Sequence, residues 1–453
     1  MERSSVSVQR RVLAVVAASA AVLAGCGTEP GVRAAETTGY GSERPATEIH
    51  FWYMPNGPEP ERSMAAEVAS FQEVHPNIKV TATLLDWSQA LIRLSTAAAG
   101  GDGPDVTQLG TTWVGGITAQ GALHAFTDRE LDGIGGRQPF LPASWTATRL
   151  VGRTETTAVP WFIDTRALVY RTDVLSRLGL DPTAAFATWE SLDRTLAQIK
   201  TEGKVSALGQ PGKDDWNVVH NLAPFIWGAG GDLLSADGAD PMLGTAASVD
   251  GVDYYQRLVA NYNAPGLLTK NTNDAVEAFA DGSVAVSIQN PDVIRRFRAD
   301  SARPGLQAGW ATAPLPVGPK GRFTFLGGSN LSIWGRTDHH DAAYEWVRFL
   351  TGRDSQSRYA ARTAGVWPAR SAAIEDTPMS SDPAYRAFTD TLADGKQYPA
   401  VATWTDIEAM LQKDFSLIWD TVLTTSAPMP RDQLQQLMTR SDGDVRDVIR
   451  QAT

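Results

Sequence analysis

The chain reads as an α/β protein built in two parts. Strand-like apolar runs alternate with helix-period segments from about residue 48, Gly- and Pro-rich turns separate them, and the last hundred residues are mostly helical in pattern. Ile49–Tyr53 is a strand run. Glu61 to His75 places Met64, Val68 and Phe71 on one helix face, and Pro76-Asn77 ends it. Ile78, Val80, Ala82 and Leu84 then alternate with polar residues as a second strand. A helix pattern through Ala90–Ala99, the turn Gly100–Pro104 and the run Asp105–Leu109 complete a βαβαβ opening, which predicts a largely parallel sheet covered by helices. Ala167–Tyr170, Val284–Ile288 and Leu331–Trp334 read as buried strands. Helices are expected around Trp189–Lys200, Val252–Tyr262 and Asp341–Leu350, the last with Asp341 as its N-cap.

Composition places the body among ordinary globular proteins of about two domains' length, with 43% hydrophobic and 20% charged residues and no later run long enough to cross a bilayer. The formal charge is −11, and removing the net +2 of residues 1–25 leaves −13. An acidic surface with no basic stripe argues against nucleic acid and anionic lipid as partners.

Residues 1–25 have the parts of a secretory signal: Arg3, Arg10 and Arg11, an apolar stretch from Val12 to Leu23, and small residues before Cys26. Cys26 is the only cysteine, so an intrachain disulfide is excluded. Leu23-Ala24-Gly25-Cys26 resembles the lipobox of bacterial lipoproteins, which implies lipidation at Cys26; a soluble secreted protein with an incidental cysteine is the alternative. Arg10-Arg11 leaves both the general secretory (Sec) and twin-arginine (Tat) routes open. Residues 26–47 are polar, lack an apolar period and read as a flexible tether.

Seven segments in order carry a resemblance: Phe51–Pro55, Phe71–Val80, Gly103–Trp113, Val159–Val174, Leu315–Ser332, Ala342–Thr351 and Gly365–Ala369. Together they resemble the extracellular solute-binding lipoproteins of ABC importers, in the carbohydrate-binding group (family 1) similar to maltose-binding protein. The resemblance implies a two-lobe, periplasmic-binding-protein-like (Venus-flytrap) fold with hinge-linked lobes that close over a solute. Lobe one would be 48–163 plus 314–375 and lobe two 170–312 plus 380–453, with hinges near Thr165, Ala313 and 370–380. The implied function is capture of a mono- or oligosaccharide and delivery to a membrane permease, by a monomer tethered to the outer face of the cytoplasmic membrane.

A sugar presents hydroxyls at its rim and C–H groups on its faces, so its site needs aromatic faces beside carboxylates, amides and an arginine fork. The loops expected at strand ends supply Tyr53, Asn56, Asp86, Gln108, Thr112, Trp113, Asp164, Arg166, Trp216, Asn217, Trp227, Asp292, Gly328, Ser329, Trp367 and Trp404. By the resemblance, Asp164 falls at an acidic sugar contact and Trp404 at a stacking tryptophan. Asp164 and Arg166 alternatively form a local ion pair at the hinge, and Trp113, Trp227 and Trp404 alternatively pack in the core. Trp334 and Trp346 read as core. Gly327-Gly328 implies close backbone approach to ligand, the reading favoured by Ser329-Asn330 beside it, or to a packed helix.

Enzyme motifs fail on inspection. Gly327–Leu331 lacks the second glycine of a nucleophile elbow, and Gly228–Gly231 lacks the glycine of a dinucleotide turn. His339-His340-Asp341 has no third histidine at helical spacing, so no metal is expected. No cofactor and no catalytic residue is expected either. A glycosidase carboxylate pair and a receptor for a glycerophosphodiester stand as alternatives.

Overall fold

The structure is a computed structural model that describes residues 46–452, Asp214 and Trp216 excepted. The signal, the tether and Cys26 lie outside the described residues, as does the side chain of Trp216.

Twelve strands are found among the described residues: β1 Thr47–Tyr53, β2 Ile78–Leu84, β3 Val106–Gly110, β4 Val159–Asp164, β5 Ala167–Arg171, β6 Ser206–Leu208, β7 Val284–Gln289, β8 Trp310–Ala313, β9 Thr324–Phe325, β10 Gly327–Ile333, β11 Trp367–Pro368 and β12 Gly395–Lys396. A six-stranded sheet runs β11-β4-β10-β3-β1-β2, and a four-stranded sheet runs β6-β7-β5-β8. The opening is parallel as expected, with β1 paired in register to β2 and β3. The sheet as a whole is mixed, because β10 enters antiparallel between β3 and β4. It arrives from the second sheet through β8 and β9, so it meets β3 and β4 from the opposite direction.

Alternation decides what each strand buries. In β1, Ile49, Phe51 and Tyr53 face one core with Met64, Phe71 and Trp346, while Trp52 packs on the other side with Leu91 and Trp113. Phe71 and Trp346 meet edge to face at 4.9 Å, and Trp161 stacks on Tyr359 at 4.7 Å. Such pairs add about 0.5–1.5 kcal/mol beyond the area they bury. β5 alternates likewise: Ala167 and Val169 join this first core, and Leu168 and Tyr170 join a second around Trp189, Phe225, Tyr255 and Trp419.

Helix ends follow local chemistry. Asp86 caps the helix Trp87–Gly100, whose end is released by Gly101 at φ 86°, and Thr188 caps Trp189–Glu202 through a reciprocal box with Ser191. The last expected cap is corrected. The helix begins at His340 with His339 at the N-cap, and Asp341 lies inside its first turn. A carboxylate there still favours the helix through its dipole. Glu67, buried on the helix Pro60–Val74, takes a two-pronged pair from Arg358 at 2.7 Å on each arm and a bond from Ser355 at 2.8 Å. This fastens that helix to the π-wound turn Ser357–Ala364.

Only Thr165 and Arg166 separate β4 of the six-stranded sheet from β5 of the four-stranded sheet. Phe325 and Leu326 lead from the other side into β10. The two crossings are tied together: the Arg166 amide donates to Thr324 Oγ1 at 2.7 Å, and that hydroxyl donates back to the Arg166 carbonyl at 2.9 Å.

Candidate functional site

A cavity of about 310 Å³ opens beside these crossings, at the ends of β3, β4 and β10. That volume lies at the lower end of the small-molecule range. Its walls combine Trp87, Trp113, Phe162 and Phe325 with Asp164, Arg166, Asp292 and Glu408. Asn56, Thr112, His220, Gly328 and Ser329 complete much of the lining.

The polar groups are pre-set by their neighbours. Arg166, 3% exposed, donates from Nη1 to Asp164 Oδ2 at 2.8 Å and from Nη2 to Asn217 Oδ1 at 2.9 Å. Asp164 and Arg166 form the ion pair that the sequence offered, and both also line the cavity. The other carboxylate oxygen, Oδ1 of Asp164, is buried with no hydrogen-bond partner. Beneath the cavity, Gln108 Nε2 donates to Ser329 Oγ at 2.8 Å, and Asn56 Nδ2 donates to Gln108 Oε1 at 3.3 Å and to Met54 O at 2.9 Å. Gln108 is thus a positioning residue for Asn56 and Ser329, which reach the cavity. On the aromatic side, Trp87 donates to Pro55 O at 2.9 Å and meets Trp113 edge to face at 5.4 Å.

Eight of the sequence-predicted residues line the cavity: Asn56, Thr112, Trp113, Asp164, Arg166, Asp292, Gly328 and Ser329. Gln108 and Asn217 stand directly behind them. Five others do not line it. Tyr53 is buried and stacked on Phe51 at 5.7 Å. Asp86 spends its carboxylate on the amide of Ser88 as a helix cap. Trp227 is buried, with Nε1 on Asp232 at 2.8 Å. Trp367 has no exposed surface and packs edge to face on Tyr385, leaving its neighbour Val366 on the cavity wall.

Trp404 is the fifth. It has no exposed surface, stacks on Tyr398 at 4.1 Å and donates from Nε1 to Glu408 Oε2 at 3.2 Å. It holds Glu408, whose carboxyl lines the cavity. The glycine expectation shifts as well. Gly328 has φ +122°, and a Cβ there would lie 2.2 Å from the carbonyl of Phe162, so the close approach is to the neighbouring strand.

Glu408, His220 and Phe325 are cavity residues that sequence reasoning missed as contacts. Glu408 sits one turn after Trp404 on the helix Trp404–Thr425, and His220 on the apolar helix Val218–Ala229; both helices read as packing surfaces. The only available signal is an ionisable residue on an otherwise apolar helix face. His220 lies flat on Phe325 at 4.1 Å, with Nδ1 3.0 Å from Tyr398 Oη and Nε2 3.3 Å from Glu408 Oε1. Burial and then the charge of Arg166 push its pKa well below the usual histidine value, so the ring is neutral. Burial raises Glu408 to about 7 against the hydrogen bonds of Trp404 and Thr112, and raises Asp292 to about 6. Near neutral pH such a carboxyl can accept or donate a hydrogen bond.

Comparison with known proteins settles the family. The family model described as bacterial extracellular solute-binding protein matches residues 55–357. The chain belongs to this family. It is 24% identical to the diacetylchitobiose-binding protein DasA of Streptomyces coelicolor over 403 residues, covering 85% of this chain and 87% of the relative. The sugar-binding protein MalE of Xanthomonas citri superposes with a TM-score of 0.74 at 26% identity, over 89% of this chain and 98% of that one. UgpB of Mycobacterium tuberculosis, solved with glycerophosphocholine, superposes at 0.73 with 18% identity, over 89% and 98%. The fold is therefore the two-lobe one of periplasmic binding proteins.

The raised Glu408 pKa has a stability consequence. The unfolded chain ionises this carboxyl near its ordinary value of 4.5, whereas the folded chain holds the proton up to about 7. Its contribution is therefore complete below about pH 4.5 and is lost as pH rises towards 7. Glu408→Gln should gain melting temperature relative to the parent over that interval and hold the gain above it. Thermal unfolding of both proteins from pH 4 to 8 checks this; a constant difference would contradict the assignment.

Proposed function

We propose that this protein is the sugar receptor of an ABC importer, anchored by lipid at Cys26 on the outer face of the cytoplasmic membrane, that hands a mono- or oligosaccharide to a permease. The observation that carries the reading is the combination, in one cavity, of aromatic faces at Trp87, Trp113, Phe162 and Phe325 with three carboxyls and one arginine. Sugar C–H faces pack on rings, and sugar hydroxyls donate to carboxylates. Asp164 Oδ1, buried and unpartnered, gains most from such a donor, because its desolvation is otherwise uncompensated.

The relatives DasA and MalE, named for diacetylchitobiose binding and sugar binding, support the same class. A phosphodiester is disfavoured by Asp164, Asp292 and Glu408, since Arg166 is already engaged by Asp164 and Asn217. The lobes are proposed as 48–163 with 314–375 and 170–312 with 380–453, turning on hinges near Thr165, Ala313 and 370–380. Closure is favoured by ligand contacts that exist only in the closed form. The protein acts as a monomer and performs no chemistry on its ligand.

A thermal-shift screen over mono-, di- and trisaccharides and glycerophosphocholine should raise the melting temperature with at least one sugar. Trp113→Ala and Asp164→Asn should each weaken that sugar's binding by roughly 10-fold or more, corresponding to about 1.4 kcal/mol. A response to glycerophosphocholine alone, or steady release of reducing ends from an oligosaccharide, contradicts the proposal. Cys26→Ser should keep full sugar affinity in vitro and leave the membrane fraction; its retention there would show another anchor.

A further inference from the structure

We infer that His124, Glu130 and His340 form a binding site for a zinc-class divalent cation at the far end of the six-stranded sheet from the cavity. Three chain segments converge there. His124 follows Leu123, which bridges to Trp334, and its amide donates to Ile333 O at 2.9 Å, at the end of β10 opposite Gly327–Ser329. Glu130 stands in the first turn of the helix Asp128–Ile134, and His340 is the first residue of the helix His340–Leu350.

The three ligand atoms lie within 4.8 Å of one another. His124 Nε2 is 3.0 Å from Glu130 Oε2, and His340 Nε2 is 3.0 Å from Glu130 Oε1. Ligands of a tetrahedral zinc ion, bound at about 2.0–2.2 Å, stand about 3.3 Å apart, so small side-chain shifts would seat the ion. Two imidazoles and one carboxylate suit zinc and leave a fourth position for water.

A hydrogen-bond network alone leaves one atom unexplained. His340 Nε2 is shielded from solvent and makes no hydrogen bond, although Glu130 Oε1 is at bonding distance. Its alignment fails for N–H···O, whereas a cation between the two atoms would take both. The surroundings also hold the ligands in a metal-ready form. The Thr127 amide and hydroxyl donate to Glu130 Oε2 at 2.7 and 2.8 Å, and Tyr344 Oη donates to the Glu130 carbonyl at 2.8 Å. Those bonds fix the carboxylate and its helix. The fold thus supplies His340 with a second histidine, His124, from more than 200 residues away. Bound metal would clip the His124 segment and both helices together without entering the cavity.

The test uses tag-free protein stripped with a chelator. Zinc chloride should bind at one site per chain by calorimetry and raise the melting temperature, and cobalt(II) should develop the intense visible bands of a tetrahedral centre. His340→Asn, at a partly exposed helix start, should lose saturable binding while keeping the metal-free melting temperature. His124→Asn serves as the second ligand variant if His340→Asn is unstable. No saturable zinc binding by the parent chain, or zinc binding unchanged in both histidine variants, overturns the inference.

Discussion

Arg166 is the charge around which the rest of the site is arranged. A guanidinium so buried is costly unless its donors are satisfied. Here Asp164, the Thr165 carbonyl and Asn217 accept from it, and the ring of Phe325 lies 5.5 Å from it as a cation–π partner. Asp164 and Arg166 flank the β4–β5 crossing, Asn217 caps the helix Val218–Ala229 of the second core, and Phe325 belongs to the other crossing. One side chain therefore ties together the elements that must move if the lobes rotate. Its charge also reaches outward, helping to keep His220 neutral and opposing the rise of Asp292. The uncompensated partner is Asp164 Oδ1, and under the proposed function a ligand hydroxyl there would couple binding to lobe position.

The elements were legible wherever a local period existed. The alternation of Ile49–Tyr53 and of Ile78–Leu84, and the helical spacing of Met64, Val68 and Phe71, correspond to β1, β2 and the helix between them. The antiparallel entry of β10 was not legible, since strand direction depends on a connection through the other sheet, and pairing leaves no trace in the strand's own residues. Within the site, Trp113, Asp164, Arg166 and Ser329 were found because they stand at or just beyond strand ends, where side chains point out of the sheet into the crevice.

The tryptophans show where sequence stops being informative. Trp113 and Trp404 are both aromatic residues near polar neighbours, and both were assigned to the ligand. Trp113 borders the cavity, while Trp404 is covered by Tyr398, a residue whose proximity no local pattern encodes. Covering Trp404 moves the exposed chemistry one turn along its helix to Glu408, whose unusual pKa results from the same burial. His124, Glu130 and His340 make the same point from the opposite end of the sheet. Of the three, only His340 drew notice in its own segment, and the constellation exists only after β10 has brought distant chain together.

The central claim is that the ligand's hydroxyls bind at the β4–β5 crossing. A crystal structure of the protein with the sugar that stabilises it most tests this directly. The account predicts a ring packed on Trp113 and a hydroxyl within about 2.6–3.2 Å of Asp164. A sugar held elsewhere, with Asp164 contacted only by Arg166, would contradict it.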